Sequence, residues 1–207
     1  ALIEGSVDIA VHSLKDLPTK LPEGLKLGAV LKRAEVRDAL VSKNGKKLAE
    51  LEPCSVIATS SLRRIAGLQK VYKQFIIKDI RGNVNSRLKK MGEGYCDAMI
   101  MATAGLQRLE LDEYITEIID PEVIMPAVSQ GAIAIETRLN DPEVDELMAQ
   151  INHQETWDTV AAERAFLGYL EGGCQVPLGC FSTVEEGVLT ISGFVASIDG
   201  KQYIRET

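Results

Sequence analysis

Between Ser55 and Thr103 the hydrophobic period changes four times, and no other feature limits the possible folds as much. An apolar run, SVIAT, gives way to SSLRRIAGLQKVY with helical spacing, then FIIKDI, then NVNSRLKKMGEG, then CDAMIMAT. Extended, helical, extended, helical, extended is a βαβαβ unit, whose strands run parallel with helices packed against the sheet. The Ile, Val and Met runs lack polar alternation, as expected of strands buried on both faces. The chain therefore reads as α/β, and ligands of such sheets bind beyond the C-terminal ends of the strands.

Around this unit the chain carries more of the same kind. VDIAV reads as a strand, and the HSLKDLP segment after it is a loop that Pro18 keeps from continuing as regular structure. In VIMPAVSQGAIAIETR, Pro126 and Gly131 interrupt an apolar strand, so hinges are expected near Arg33 to Arg37 and near Pro126 to Gly131. DPEVDELMAQIN reads as a helix capped by Asp141, and residues 154–171 as another, with Trp157, Val160, Leu167 and Leu170 on one face and Gly172 and Gly173 as its stop. From Phe181 onward polar and apolar residues alternate around Glu186-Gly187 and Asp199-Gly200 turns, the pattern of antiparallel strands in a small α+β domain. The expected division is residues 1–34 with 129–151, then 35–128, then 152–207. The opening ALIEG reads as the tail of a helix and Thr207 falls within a strand, so a fragment of a longer protein is expected.

Composition narrows the function. A net charge of −7 argues against nucleic acid, and no stretch approaches the roughly 20 apolar residues of a membrane span or has the flanks of a signal peptide, so a cytoplasmic protein is expected. The cysteines at 54, 96, 174 and 180 form no CxxC pair and the histidines, His12 and His153, lie far apart, so no metal site is expected. Burial is the expectation for Cys54 and Cys96, whereas Cys174, in EGGCQVPLG between glycines and Pro177, is a thiol presented by a loop. His12, after an apolar strand, reads as a packed, hydrogen-bonded residue. Positive charge concentrates in residues 60–90, where nine Lys and Arg face a single acid, Asp79.

That segment supplies the candidate site. In TSSLRR, Ser60 or Ser61 caps a helix whose first turn holds Arg63 and Arg64, against the dipole preference for acids, which points to an anionic ligand in place of acidic side chains. IRGNVNSR repeats the arrangement with Arg81, a cap at Asn83 and Arg87 about one turn in. Guanidinium forks match carboxylates, so four converging arginines suit a ligand with several of them. In HSLKDLP, Asp16 places a carboxylate beside Lys15 in a loop after a strand, a candidate proton shuttle. A two-lobed module that captures a polycarboxylate without chemistry also explains the arginines and hinges but leaves Cys174 and Asp16 without a role. A cysteine hydrolase lacks a histidine in any recognisable partner motif.

Taken in order, VDIAVHSLKDLP, TSSLRR, IRGNVNSRL, DAMIMATAGLQRL, PAVSQGAIAIE and EGGCQVPLG resemble the porphobilinogen deaminase (hydroxymethylbilane synthase) family through almost the whole chain. The resemblance implies two α/β domains like those of periplasmic binding proteins, the first incomplete, and an incomplete α+β domain. It implies a monomeric transferase that joins four porphobilinogen units head to tail, with loss of ammonia, into hydroxymethylbilane. A dipyrromethane cofactor would be held by a thioether to Cys174, with Ser13, Lys15, Thr59, Ser61, Arg63, Arg64, Arg81 and Arg87 binding cofactor and substrate carboxylates. Asp16 would be the catalytic carboxylate, holding pyrrole N–H groups, assisting loss of ammonia and stabilising the azafulvene cation. The family's N-terminal GTRxSxLAxxQ block and the last helices of its third domain are not in this sequence, which implies a chain inactive alone.

Overall fold

A computed structural model describes residues 1–170, 176–197 and 201–207. In chain order the elements are β1 (Ile9–Ser13), β2 (Leu25–Val30), β3 (Asp38–Ser42), β4 (Val56–Ala58), α1 (Leu62–Val71), β5 (Ile76–Lys78), α2 (Val84–Gly92), β6 (Ala98–Ala102) and α3 (Thr103–Gln107). There follow β7 (Glu117–Ile118), β8 (Ile133–Arg138), α4 (Pro142–Ile151), α5 (Gln154–Tyr169), β9 (Leu178–Glu185), β10 (Val188–Ala196) and β11 (Tyr203–Glu206).

The expected βαβαβ unit is present: β4 pairs in parallel with β5 on one side and β6 on the other. Its sheet is larger than the periodicity indicated, with order β5-β4-β6-β3-β7, and the two added strands run antiparallel, so the sheet is mixed. On one face Met99 and Met101 pack with Leu88 and Met91 of α2; on the other Ala98 and Ile100 pack with Leu68 of α1 and Leu40 of β3. Covering both faces is what an uninterrupted apolar strand requires.

A second sheet, of order β1-β8-β2, is antiparallel throughout. Its first strand starts at Ile9, two residues later than the VDIAV reading, because its ladder with β8 runs from Ile9 opposite Thr137 to Ser13 opposite Ile133. ALIEG forms turns and no helix, with Gly5 N–H donating to Leu2 O and Ser6 N–H to Ala1 O.

Two chain segments connect these sheets where hinges were expected, and they are hydrogen-bonded to one another. Ala34 N–H donates to Gly131 O at 3.1 Å, Arg33 Nε to Gln130 O at 2.9 Å, and Gln130 Nε2 to Val36 O at 2.7 Å. Gly131 has φ +87°, and a Cβ there would lie 2.7 Å from Ala34 O, so only glycine lets the two backbones touch.

The third sheet, β11-β10-β9, is antiparallel, with Glu186 (φ 50°) and Gly187 (φ 78°) forming the expected hairpin turn. Helix α5 packs on it, Phe166 and Leu167 joining Val128, Leu178 and Cys180. From that helix the buried Glu163 accepts from Arg33 Nη1 and Nη2 (2.7 and 2.9 Å), Ser129 N (2.7 Å), and Ser182 N and Oγ (2.8 and 3.0 Å). One carboxylate thereby joins both crossing segments to β9. Asp141 caps α4 as expected, its side chain accepting from Val144 N. Asp199-Gly200 lies outside the described residues.

Candidate functional site

The site begins where β4 ends. Thr59, buried, follows the strand and its hydroxyl accepts from Ser61 N at 3.3 Å. Ser60 is not the helix cap; its Oγ donates to Ile80 O at 2.6 Å and accepts from Ile80 N at 3.0 Å, locking together the chain segments that follow β4 and β5. Ser61 occupies the N-cap position of α1 without making a side-chain cap bond, so its hydroxyl leaves the first N–H groups of that helix unsatisfied. At α2 the expected cap is formed, with Asn83 Oδ1 accepting from Ser86 N at 2.9 Å.

Arg63 and Arg64 follow in the first turn of α1, and both are buried at 6% and 8% exposure. The sequence reading had an external anion standing in for absent acidic side chains. That is corrected in part, because Asp38 is an internal counter-charge: its Oδ2 accepts from Arg63 Nη1 at 2.7 Å and its Oδ1 from Arg64 Nη2 at 2.8 Å. Arg63 Nη1 also donates to Met125 O and Arg64 Nη1 to Ile100 O at 2.9 Å. One carboxylate against two guanidinium groups leaves an excess positive charge, and Arg64 Nε is buried with no acceptor among the described residues. Burial by itself would push the Asp38 carboxyl up, but the charges and hydrogen bonds of Arg63 and Arg64 overcome it and hold it well below the usual carboxylate range.

The sequence reading missed Asp38 because its partners come from antiparallel pairing. Asp38 stands opposite Ala102, so the start of β3 lies at the same sheet edge as the ends of β4 and β6. Arg108, also missed, stands after α3 beyond β6, where its Nη2 donates to Gly131 O at 2.6 Å and burial pulls its pKa down. The strand-end rule that singled out TSSLRR and IRGNVNSR also applies to the turn after β6.

The other predicted residues divide. Arg87, half-buried, donates from Nε to Gly82 O at 2.7 Å; burial and then the like charge of Arg64 lower its pKa, against Asp79, so it joins the arginine group. Arg81 does not: its side chain is 88% exposed and its Nε lies 3.6 Å from Asp79 Oδ2.

Lys15 and Asp16 reach the site from the other sheet. A 3-10 turn over Leu14–Asp16 follows β1 and is pinned by Leu14, fully buried against Val30, Ala134 and Val160. Burying Leu14 turns Lys15 and Asp16 outward, and both are exposed. Around the Lys15 ammonium, desolvation and then Arg64 lower the pKa, Asp16 and Asp38 oppose, and Arg63 adds to the lowering. These couplings put Lys15, which follows a strand of one sheet, within electrostatic range of the arginine pair that follows a strand of the other. Neither Lys15 nor Asp16 has a hydrogen bond or ion pair to another described residue, whereas His12 Nε2 lies 3.1 Å from Glu136 Oε2, the packed role expected of it. Ser13, half-buried, ends β1 beside them.

Cys174 lies outside the described residues. Cys96 and Cys180 are buried, but Cys54 is exposed, against expectation, because it sits in a turn with φ 66° before β4 begins. Among the described residues no cluster of His, Cys, Asp and Glu could hold a metal ion, and no helix is long and apolar enough to cross a membrane.

Known proteins resemble this chain in sequence and in fold. Residues 1–146 match the family described as porphobilinogen deaminase, dipyromethane cofactor binding domain, and residues 157–207 match the porphobilinogen deaminase C-terminal domain. Among curated relatives, the porphobilinogen deaminases of Synechococcus elongatus and Pelotomaculum thermopropionicum are each 50% identical, over 100% and 99% of this chain. The chain spans 65% and 66% of those relatives' own length. A solved structure described as a methionine-binding lipoprotein of Bacillus subtilis superposes with a TM-score of 0.50 at 15% identity, covering 76% of this chain and 75% of its own. That likeness concerns the fold alone, and agrees with the two-lobed α/β architecture anticipated from the sequence. The chain belongs to the porphobilinogen deaminase family.

Proposed function

We propose that this chain is the larger part of a transferase that joins four porphobilinogen units, with loss of ammonia, into hydroxymethylbilane on a dipyrromethane primer held by a thioether to Cys174. The observation that carries the reading is a cluster of cations: Arg63 and Arg64 share the buried Asp38, with Arg87 and Lys15 within electrostatic range of Arg64 and with Asp16 next to Lys15. Family membership supplies the chemistry. The reading extends to a cytoplasmic monomer divided into residues 1–34 with 129–151, 35–128 and 152–207, in keeping with the three separate sheets.

The groups present fit a polycarboxylate bearing pyrrole N–H groups. Among the described residues Lys15 has no ion-pair partner, Arg64 Nε is an orphaned buried donor, and the α1 terminus lacks a side-chain cap. Lys15, Arg63, Arg64 and Arg87 would hold acetate and propionate groups, with Ser13, Thr59 and Ser61 as hydroxyl partners and Arg81 at the exposed rim. When bound, dipyrromethane supplies the carbon nucleophile for the first condensation.

Asp16 then does the work of charge. Its carboxylate accepts from the pyrrole N–H of the incoming unit, and it stabilises the positive charge that develops on that ring as ammonia leaves. Because the charge is absent in the ground state, the interaction is stronger in the transition state and lowers the barrier. After the carbon–carbon bond forms, the same carboxylate would accept the proton that departs.

In a protein of the relatives' full length, Asp16→Asn is expected to keep the fold and the attached primer and to lower turnover of porphobilinogen by at least roughly a hundredfold. Ammonia release measured in steady state checks this. Turnover like that of the parent protein removes Asp16 from the mechanism.

A further inference from the structure

We propose that Asp38 is the positioning residue of the site: its single buried carboxylate aims Arg63 and Arg64 at the ligand and fixes that aim to the segments that join the two lobes. The inference deepens the proposed function and rests on it only for the identity of the ligand.

The geometry is that of a hub. Asp38 is fully buried, and its two oxygens are divided between Arg63 (2.7 Å) and Arg64 (2.8 Å). A third donor, Gln130 Nε2, reaches Oδ1 at 3.0 Å while also donating to Val36 O at 2.7 Å. Gln130 belongs to the second crossing segment, and Val36 to the first. Arg63 is fastened to the second crossing segment again through Met125 O. A guanidinium alone on a long side chain would lose rotamer freedom each time it bound an anion; one already held by a fork does not.

The division of donors also explains why a ligand is still needed. Arg63 and Arg64 share one compensating charge, so the pair remains cationic, and the buried Nε of Arg64 stays without an acceptor among the described residues. Asp38 is thus too little counter-charge to close the site and enough to hold its donors still. Rotation of the lobes about the crossing segments would move Gln130 and Met125 O, and with them the partners of both arginines.

Two substitutions separate charge from geometry. Asp38→Glu keeps the charge and moves it by one methylene; Asp38→Asn keeps the shape and removes the charge. Each is assayed by calorimetric titration of the folded chain with porphobilinogen, and by the titration of Lys15, labelled by ¹³C reductive methylation and followed by NMR. Lys15 is exposed, and the charged groups facing it are Arg63, Arg64, Asp16 and Asp38.

Asp38→Glu is expected to weaken porphobilinogen binding about tenfold while leaving the Lys15 pKa near that of the parent chain, since re-aimed forks lose charge-assisted bonds but no charge. Asp38→Asn is expected to lower the Lys15 pKa, because a charge that raises it is gone. A role confined to stability would reduce melting temperature and leave the porphobilinogen affinity of folded Asp38→Glu unchanged. Unchanged porphobilinogen affinity in folded Asp38→Glu overturns the proposal. Should the parent chain itself not bind porphobilinogen, the affinity test is made in a protein of the relatives' full length, where a tenfold loss in Asp38→Glu upholds the proposal and unchanged affinity overturns it, while absence of binding by that parent overturns the proposed function. If Asp38→Asn does not fold, Asp38→Glu carries the test.

Discussion

A side chain's chemistry here depends less on its type than on the partners that reach it, and the cysteines make the case. Cys180 is buried beside Glu163, and its thiol pKa is pushed up to about 12 by burial first and by that carboxylate second, against Arg33. Cys54 is exposed in a turn. Iodoacetamide at pH 8 is therefore expected to label Cys54 in the folded chain and to spare Cys96 and Cys180, as peptide mass mapping would report. In the unfolded chain Cys180 ionises near about 8.5, while in the fold it stays protonated to about 12. The folded state therefore holds the extra proton, and stability declines as pH rises through that window. Cys180→Ala should remove that part of the alkaline decline, measured as urea midpoints between pH 8 and 10; an unchanged slope would assign the decline to other groups.

Residue-level legibility follows the same division. TSSLRR and IRGNVNSR could be read as strand-end ligand turns because each is local, and Arg63, Arg64 and Arg87 do gather at one edge. Asp38 could not be read, since its partners lie 25 and 26 residues away and are met only after β3 has paired antiparallel with β6. Arg81 stands exposed beside Asp79, apart from the buried arginine pair, for a related reason. A residue beyond a strand end can face the site or the solvent, and its spacing in sequence does not distinguish the two.

At the scale of elements, hydrophobic period located the parallel unit because β4 and β6 are buried between α1 and α2, whereas β5, expected to be buried on both faces, is an edge strand with Ile76 exposed. The antiparallel additions, β3 and β7, have no comparable signature. DALVS is as apolar as a parallel strand, and Glu117–Ile118 is too short to show any period. The crossing segments, by contrast, were legible through Pro126 and Gly131, and Gly131 has the sharper physical reason. With φ +87° and Ala34 O lying 2.7 Å from a would-be Cβ, Gly131→Ala must both strain the backbone and push the crossing segments apart. A loss of about 2–4 kcal/mol in unfolding free energy is expected from denaturant titration. A loss below about 0.5 kcal/mol would mean that the crossing segments are free to separate.

Across the whole molecule, three small sheets are joined by buried charge as well as by apolar packing. Glu163 binds Arg33, Ser129 and Ser182, and Asp38 binds Arg63, Arg64 and Gln130, so each carboxylate gathers chain segments from different sheets. Removing one partner of such a group leaves an uncompensated buried charge, which is why these hubs hold relative positions that no single hydrophobic contact would. The anionic ligand inferred from arginine spacing and the family assignment support one proposal above the others, that a pyrrole primer is carried on Cys174.

Intact mass tests that claim most directly, measured on the chain and on a counterpart of its relatives' full length, each beside a Cys174→Ala control and each treated with an aldehyde reagent that colours free pyrroles. The expected result is an added mass of two linked pyrrole units with the colour reaction, both lost in the control. A bare mass and no colour in both lengths, with Cys174 open to alkylation, would contradict the deaminase reading and leave a non-catalytic polycarboxylate-binding module in its place.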